Sequence, residues 1–170
     1  MSTGNAIESS AQDAGRNAPQ ERESLSGRFE HRLDPQRRLT IPLKLFEPMR
    51  NPASVSIMRS LRRKRCLDVY AKPDWDARLR PFREKPATNE LSSDFLREIS
   101  ELTQEVPVDA QNRIRIPEEM LAFAELDTDI VVLGTGACFE IWALKNRPKV
   151  VEDIEARVES LARQAKEAGF

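Results

Sequence analysis

Two arginines, Arg38 and Arg113, each stand four residues after an aspartate, Asp34 and Asp109, and just before an Ile-Pro pair, Ile41-Pro42 and Ile116-Pro117. A guanidinium is always charged, planar and bidentate, so it matches phosphate oxygens or the major-groove edge of guanine. An aspartate four residues earlier can accept the N–H groups of an intervening turn and hold the guanidinium at one angle. Alone, such a pair reads first as a surface ion pair worth roughly 0–1 kcal/mol. Repetition raises it above that level. Asp34–Pro42 reads DPQRRLTIP and Asp109–Pro117 reads DAQNRIRIP, with Asp, Gln, Arg, Ile and Pro in register at an offset of 75 residues. A chain that repeats itself is built from two copies of one supersecondary unit.

The elements around each arginine follow from residue pattern. Phe29–Leu33 alternates apolar and polar, Asp34-Pro35 opens a turn, and Arg38–Ile41 alternates again. Side chains of a strand point alternately to its two faces, so Leu39 and Ile41 turn inward while Arg38 and Thr40 turn outward. In the second copy Ile114 and Ile116 turn inward, and Arg113 and Arg115 outward. The candidate DNA-contacting set is therefore Arg38 first, with Arg37 and Arg32 beside it, then Arg113 and Arg115. Asp34 and Asp109 support the turns.

Pro42 starts a helix over Leu43–Met49 that Pro48 keeps short. Val55–Met58 and Leu67–Tyr70 form a hairpin across the basic tip Leu61–Arg65. The second copy has the same order: Val106 and Val108 alternate, Pro117 starts a helix with Glu118 and Glu119 in its first turn, and Ile130–Leu133 pairs with Phe139–Trp142 across Gly134–Gly136. Cys66…Tyr70 corresponds to Cys138…Trp142 at an offset of 72. Between the copies, helices are expected, one capped by Asp74 and carrying Trp75 and Leu79, another capped by Ser92 or Ser93 and carrying Phe95, Leu96, Ile99 and Leu102. Residues 150–168 place Ile154, Val158, Leu161 and Ala165 on one face of an amphipathic helix. The expected organisation is a disordered polar tail (1–26), a first repeat (27–72), a helical connector (73–104), a second repeat (105–146) and the terminal helix (147–170).

The chain has 170 residues, 39% hydrophobic and 32% charged, with one histidine and two cysteines. No run of ~18 apolar residues spans a membrane, and the first residues lack the basic start and apolar stretch of a secretory signal. With so few histidines and cysteines, neither a metal site nor a cofactor is expected. No Gly-rich phosphate loop, H-E-x-x-H, Gly-x-Ser-x-Gly or Cys–His pair is present, so an enzyme is not expected. Cys66 and Cys138 read as packing residues, His31 as a surface histidine, Trp75 and Trp142 as core anchors. Net charge is −1, yet residues 28–65 carry eleven Lys or Arg against three acids, a net of +8, whereas residues 66–146 carry nine against sixteen, a net of −7. Such asymmetry points towards a polyanion at the first copy. The tip Arg62–Arg65 reads first as a solvated charge run and second as a phosphate clamp.

The twice-written D-x-x-x-R turn with its Ile-Pro strand end and helix start resembles the MraZ family, tandem relatives of the AbrB/SpoVT-type DNA-binding domain. Leu67-Asp68-Val69-Tyr70, Phe139-Glu140-Ile141-Trp142 and Trp75 also fall where that family has them, so the resemblance covers residues 27–146. It implies an α+β fold in which two tandem βαββ-like repeats make a small swapped-hairpin β-barrel. It further implies ring-like homo-oligomers and transcriptional regulation of the bacterial division and cell-wall gene cluster. Asp34 and Arg38 match one copy of the motif, Asp109 and Arg113 the other. The family usually has Lys-Gly before the motif arginine. Here Gln36-Arg37 and Gln111-Asn112 stand there, which removes a phosphate contact from each copy. Asn tolerates the left-handed region, whereas Arg meets a steric cost there. Either the first turn has another shape, or Arg37 accepts strain to add a cation.

These readings converge on a transcriptional regulator bound to double-stranded promoter repeats, self-assembled, cytoplasmic and nucleoid-associated, with the first copy doing most of the contacting. The rival is a ring-forming protein-interaction scaffold, or an antitoxin-like module without specific DNA binding.

Overall fold

The computed structural model describes residues 23–62, 64–85, 90–147 and 154–169, the side chains of 154–156 excepted. The tail expected over 1–26 thus lies, up to residue 22, outside the described residues, as does Arg63. In chain order the elements are β1 (Arg28–Arg32), β2 (Arg38–Thr40), α1 (Leu43–Phe46), β3 (Ser54–Arg59), β4 (Cys66–Ala71), α2 (Lys72–Arg83), α3 (Glu90–Glu101), β5 (Thr103–Pro107), β6 (Arg113–Arg115), α4 (Glu118–Ala124), β7 (Asp129–Gly134), β8 (Phe139–Ala143), a 3-10 turn (Leu144–Asn146) and α5 (Ile154–Glu167). The architecture is mixed α+β.

Six strands form one antiparallel sheet in the order β1-β7-β8-β4-β3-β5, and β2 pairs with β6 in a separate ribbon. Exchanging each strand for its equivalent in the other copy reads this order backwards, so an approximate two-fold axis relates the copies. The first strand of each copy lies against the hairpin of the other: β1 beside β7, β5 beside β3. The axis crosses the ribbon at Leu39 and Ile114, which are equivalent residues and direct partners. It crosses the sheet at Asp68 and Glu140, equivalent at the offset of 72 and also direct partners.

One core cluster draws Leu39, Ile41, Val55, Ile57 and Val69 from the first copy and Ile114, Ile116, Ile130, Phe139 and Ile141 from the second. The alternation of each strand supplies this inner face. On the outer face, Met58, Tyr70 and Cys138 meet Trp75, Leu79 and Ile99 of the helical pair α2–α3, with the Tyr70 and Trp75 rings 5.2 Å apart.

Several boundaries differ from expectation for local reasons. α2 begins at Lys72 with Pro73 in its first turn, where a missing N–H costs nothing, so Asp74 lies inside that turn rather than capping it. α3 begins at Glu90, which puts Ser92 and Ser93 inside the helix. α1 stops after four residues, and Arg50 and Asn51, both at positive φ, turn the chain towards β3. Thr103 and Gln104 leave the helical connector to extend β5, because the edge of β3 offers ladder partners as far as Thr103. Order also reaches back past residue 27: Leu25 is buried and exchanges two backbone hydrogen bonds of 2.8 Å with Gly136. On α5, Val158 and Leu161 are exposed.

Candidate nucleic-acid interface

The two motif turns are built alike. The Asp34 carboxylate accepts from the backbone N–H of Gln36 and of Arg38, each at 2.9 Å, and from Arg38 Nε at 2.6 Å. Asp109 accepts from the N–H of Gln111 at 2.8 Å and of Arg113 at 3.0 Å, and from Arg113 Nε at 2.8 Å. Burial alone would raise both carboxyls. The backbone and side-chain bonds from Arg38, and likewise from Arg113, outweigh it and hold both below the usual carboxylate range. Each aspartate thus shapes its turn and aims its guanidinium.

Between them, Arg37 (φ 60°) and Asn112 (φ 57°) occupy the left-handed region. The first turn therefore has the same shape as the second, and Arg37 accepts the strain. Both residues also hold the ribbon together. Arg37 O accepts from Ile116 N–H at 3.1 Å, and Asn112 O accepts from Ile41 N–H at 2.9 Å. These bonds prolong the ribbon at each end and lock the turn of one copy to the strand of the other.

On the ribbon, Arg38 is the direct partner of Arg115, and Thr40 of Arg113. With Leu39 and Ile114 buried beneath, these four side chains share the outer face. Two arginines directly opposite repel each other in an isolated ribbon, and Arg115 has no ion pair among the described residues. Arg32 and Arg37 sit apart, lining a surface groove with Asp34, Pro35 and Thr128. Arg32 Nε lies 3.0 Å from Asp129, and Arg37 Nη1 lies 3.9 Å from Asp127. So Arg38, Arg113 and Arg115 come together on one face, Arg32 and Arg37 on an adjoining groove, and Asp34 joins the two.

The charge asymmetry has a second meaning that the sequence does not display. Arg32, Arg37, Arg59, Arg62 and Arg65 of the basic stretch pair with Asp129, Asp127, Glu119, Glu140 and Glu125 of the acidic one. Much of the asymmetry is thus complementarity between copies rather than a bare cationic face. The tip cations turn the same way: Arg62 points into the sheet, Arg65 to Glu125, and Lys64 lies 5.8 Å over the Trp142 ring. Sequence reasoning placed Thr40 on the outward face beside Arg38 but missed Asp127 and Asp129 as arginine partners. The acids at the start of β7 were the available signal, because the strand of the other copy pairs there.

A family model described as "MraZ protein, putative antitoxin-like" matches residues 101–168. A "Transcriptional regulator MraZ" of Leifsonia xyli subsp. xyli is 30% identical over 117 residues, 68% of this chain and 78% of the relative. The chain belongs to the MraZ family. Other MraZ relatives agree: the "Transcriptional regulator MraZ" of Heliobacterium modesticaldum is 29% identical over 80% of this chain and 92% of its own length. That of Treponema denticola is 27% identical over 86% and 100%. The family model falls on the second copy and α5, whereas the relatives' alignments extend over most of the chain.

Proposed function

We propose that this chain is a sequence-specific DNA-binding transcriptional regulator of the MraZ type, not an enzyme, acting on the division and cell-wall gene cluster that includes its own promoter. The observation that carries this reading is the ribbon face. Arg38, Arg113 and Arg115 stand on strands rather than loops, two of them aimed by hydrogen bonds to aspartate, and Arg115, opposite Arg38, has no ion pair among the described residues. Ion pairs such as Arg32–Asp129 are exposed and weak enough for phosphate to displace. Arg37 adds a cation that the second copy lacks, which favours the first copy as the main reader.

In the same reading the six-stranded sheet and the ribbon wrap one core as a swapped-hairpin barrel, supported by the strand exchange between copies. Ring-like self-association, through surfaces that include the exposed Val158 and Leu161, brings several ribbon faces to repeated promoter sites and multiplies their effective concentration. The setting is the bacterial cytoplasm, at the nucleoid.

The test is a gel shift on DNA upstream of the chain's own gene at two salt concentrations. Arg38→Ala should weaken binding by at least about tenfold, the loss of one bidentate base or phosphate contact, with the oligomer unchanged by light scattering. Wild-type binding should fall steeply with salt. Undiminished binding by Arg38→Ala would sink the reading. Salt-insensitive capture of a protein with no DNA shift would favour the scaffold instead.

A further inference from the structure

Where the approximate two-fold axis crosses the sheet, it brings together groups that DNA binding does not use. Asp68 and Glu140 are partners in adjacent strands, only 3% and 5% exposed, and Cys66 is buried two residues before Asp68 on the same face of β4. One ligand atom from each of Cys66, Asp68 and Glu140 lies within 4.8 Å of the other two. Ser60, 6% exposed on the turn after β3, aims its hydroxyl at the Cys66 thiol and the Asp68 carboxylate yet completes a well-formed hydrogen bond with neither. A buried polar atom left without a partner calls for an unseen one.

Arg62 is the single cation facing this group among the described residues, with Nη2 at 2.7 Å from Glu140 and 3.4 Å from Asp68. Arg62 thus brings one positive charge to two carboxyl groups held away from water, where an unpaired charge is costly, and burial pushes the Asp68 carboxyl up. We propose that Ser60, Cys66, Asp68 and Glu140 form a binding site for one divalent transition-metal ion of the zinc class. Binding releases the Cys66 proton to solvent, so that thiolate, two carboxylates, the ion and Arg62 sum to zero charge. The donor set selects the class: a thiolate favours borderline and soft ions over magnesium or calcium, and thiolate and two carboxylates are three ligands of the kinds zinc takes, with the Ser60 hydroxyl beside the fourth position that open zinc sites leave to a neutral oxygen. Tetrahedral bonds of about 2.0–2.3 Å require the ligand atoms to close to roughly 3.3–3.8 Å, a matter of side-chain rotation. Glu140 is already oriented by the Trp142 indole N–H at 2.8 Å, in the way metal-binding carboxylates are usually held from outside the ligand set. Arg62, half exposed at the mouth, withdraws to an outer position. The ligands come from both copies, β4 and β8, which is why no compact Cys/His spacing announces the site.

The test uses the full-length protein, reduced and stripped with chelator, titrated with cobalt(II). A thiolate-to-cobalt charge-transfer absorption in the near ultraviolet, saturating at one cobalt per chain and abolished by excess zinc, is the expected result. Cys66→Ala should lose the band, whereas Cys138→Ala, the equivalent cysteine outside the cluster, should keep it. Arg62→Gln removes a competing cation without touching a ligand and should tighten cobalt binding by about tenfold. Circular dichroism establishes that each variant is folded, and Glu140→Gln, expected to weaken binding, replaces Cys66→Ala if that variant does not fold. The proposal is overturned if cobalt binds without the band, if the band survives Cys66→Ala or vanishes in Cys138→Ala, or if Arg62→Gln binds no tighter.

Discussion

Arg37 holds a left-handed backbone, accepts the Ile116 N–H at its carbonyl and keeps its guanidinium near Asp127. Asn112, its equivalent, meets the first demand with a short side chain that tolerates it, makes the corresponding bond to Ile41, and carries no charge. A left-handed arginine costs about 1 kcal/mol relative to a residue that tolerates the region. Arg37→Asn should therefore raise stability by about 1 kcal/mol, seen as a melting temperature higher by about 2–4 °C. The same substitution should lower the slope of log affinity against log salt by about 1 if the side chain meets a phosphate. A less stable variant would mean that the guanidinium, not the backbone, decides this turn. Asp34 gives a prediction of opposite kind. Its carboxyl is held low in the fold, so its contribution is present above the unfolded value of 3.8 and disappears as pH falls through the lower folded one. The melting-temperature gap between wild type and Asp34→Asn should stay constant from about pH 5 to 8 and close only below 3.8; a gap that closes near neutrality would assign it to another group.

At the scale of elements, what the sequence discloses is whatever is local. Alternation at Arg38–Ile41 and Arg113–Ile116, the proline that opens α1 and α4, and the hairpin strands are readable because each depends on neighbouring residues alone. The start of α2 and the length of β5 were not, since Pro73 competes with Asp74 for the first turn, and the last residues of the connector have to choose between α3 and the free edge of β3. The partner of each strand was invisible for a related reason, because exchange between copies leaves no trace in spacing. It does leave an energetic one. Leu39 and Ile114 are fully buried, equivalent and in direct register, so each ribbon strand is anchored by the other copy's side chain. Leu39→Ala should cost about 2–5 kcal/mol, and Ile114→Ala a similar amount. Because the two residues share one cavity, the double variant should depart from the sum of the singles by about 0.5 kcal/mol or more in denaturant titrations. Strict additivity would show that the ribbon is not the joint it resembles.

At the scale of the whole molecule, neither copy is complete. β1 finds its ladder in the second copy and β5 in the first; the ribbon needs one strand from each, and five arginines of the first stretch have acids of the second as partners. The largest core cluster crosses this division, so a chain cut at the connector exposes part of it on either fragment. Residues 23–85 alone should show no cooperative melting as a monomer, since β1 and β2 then lack every ladder partner they have in the full chain. At high concentration the same fragment has one escape, pairing with a second copy of itself about the axis that relates the natural repeats. Leu39 would then face Leu39, which packs, and Arg38 would face Thr40, the equivalent of Arg115. Against this, Asp68 would face Asp68, and Arg32, Arg37 and Arg65 would lose the acids that the second copy supplies. Such a homodimer should be weaker than the pair formed with residues 90–169. Analytical ultracentrifugation of each fragment, then of the mixture, measures this directly: the mixture should yield a one-to-one complex with a cooperative melt that neither fragment shows alone. A cooperative, monomeric melt of residues 23–85 would refute the interdependence of the copies.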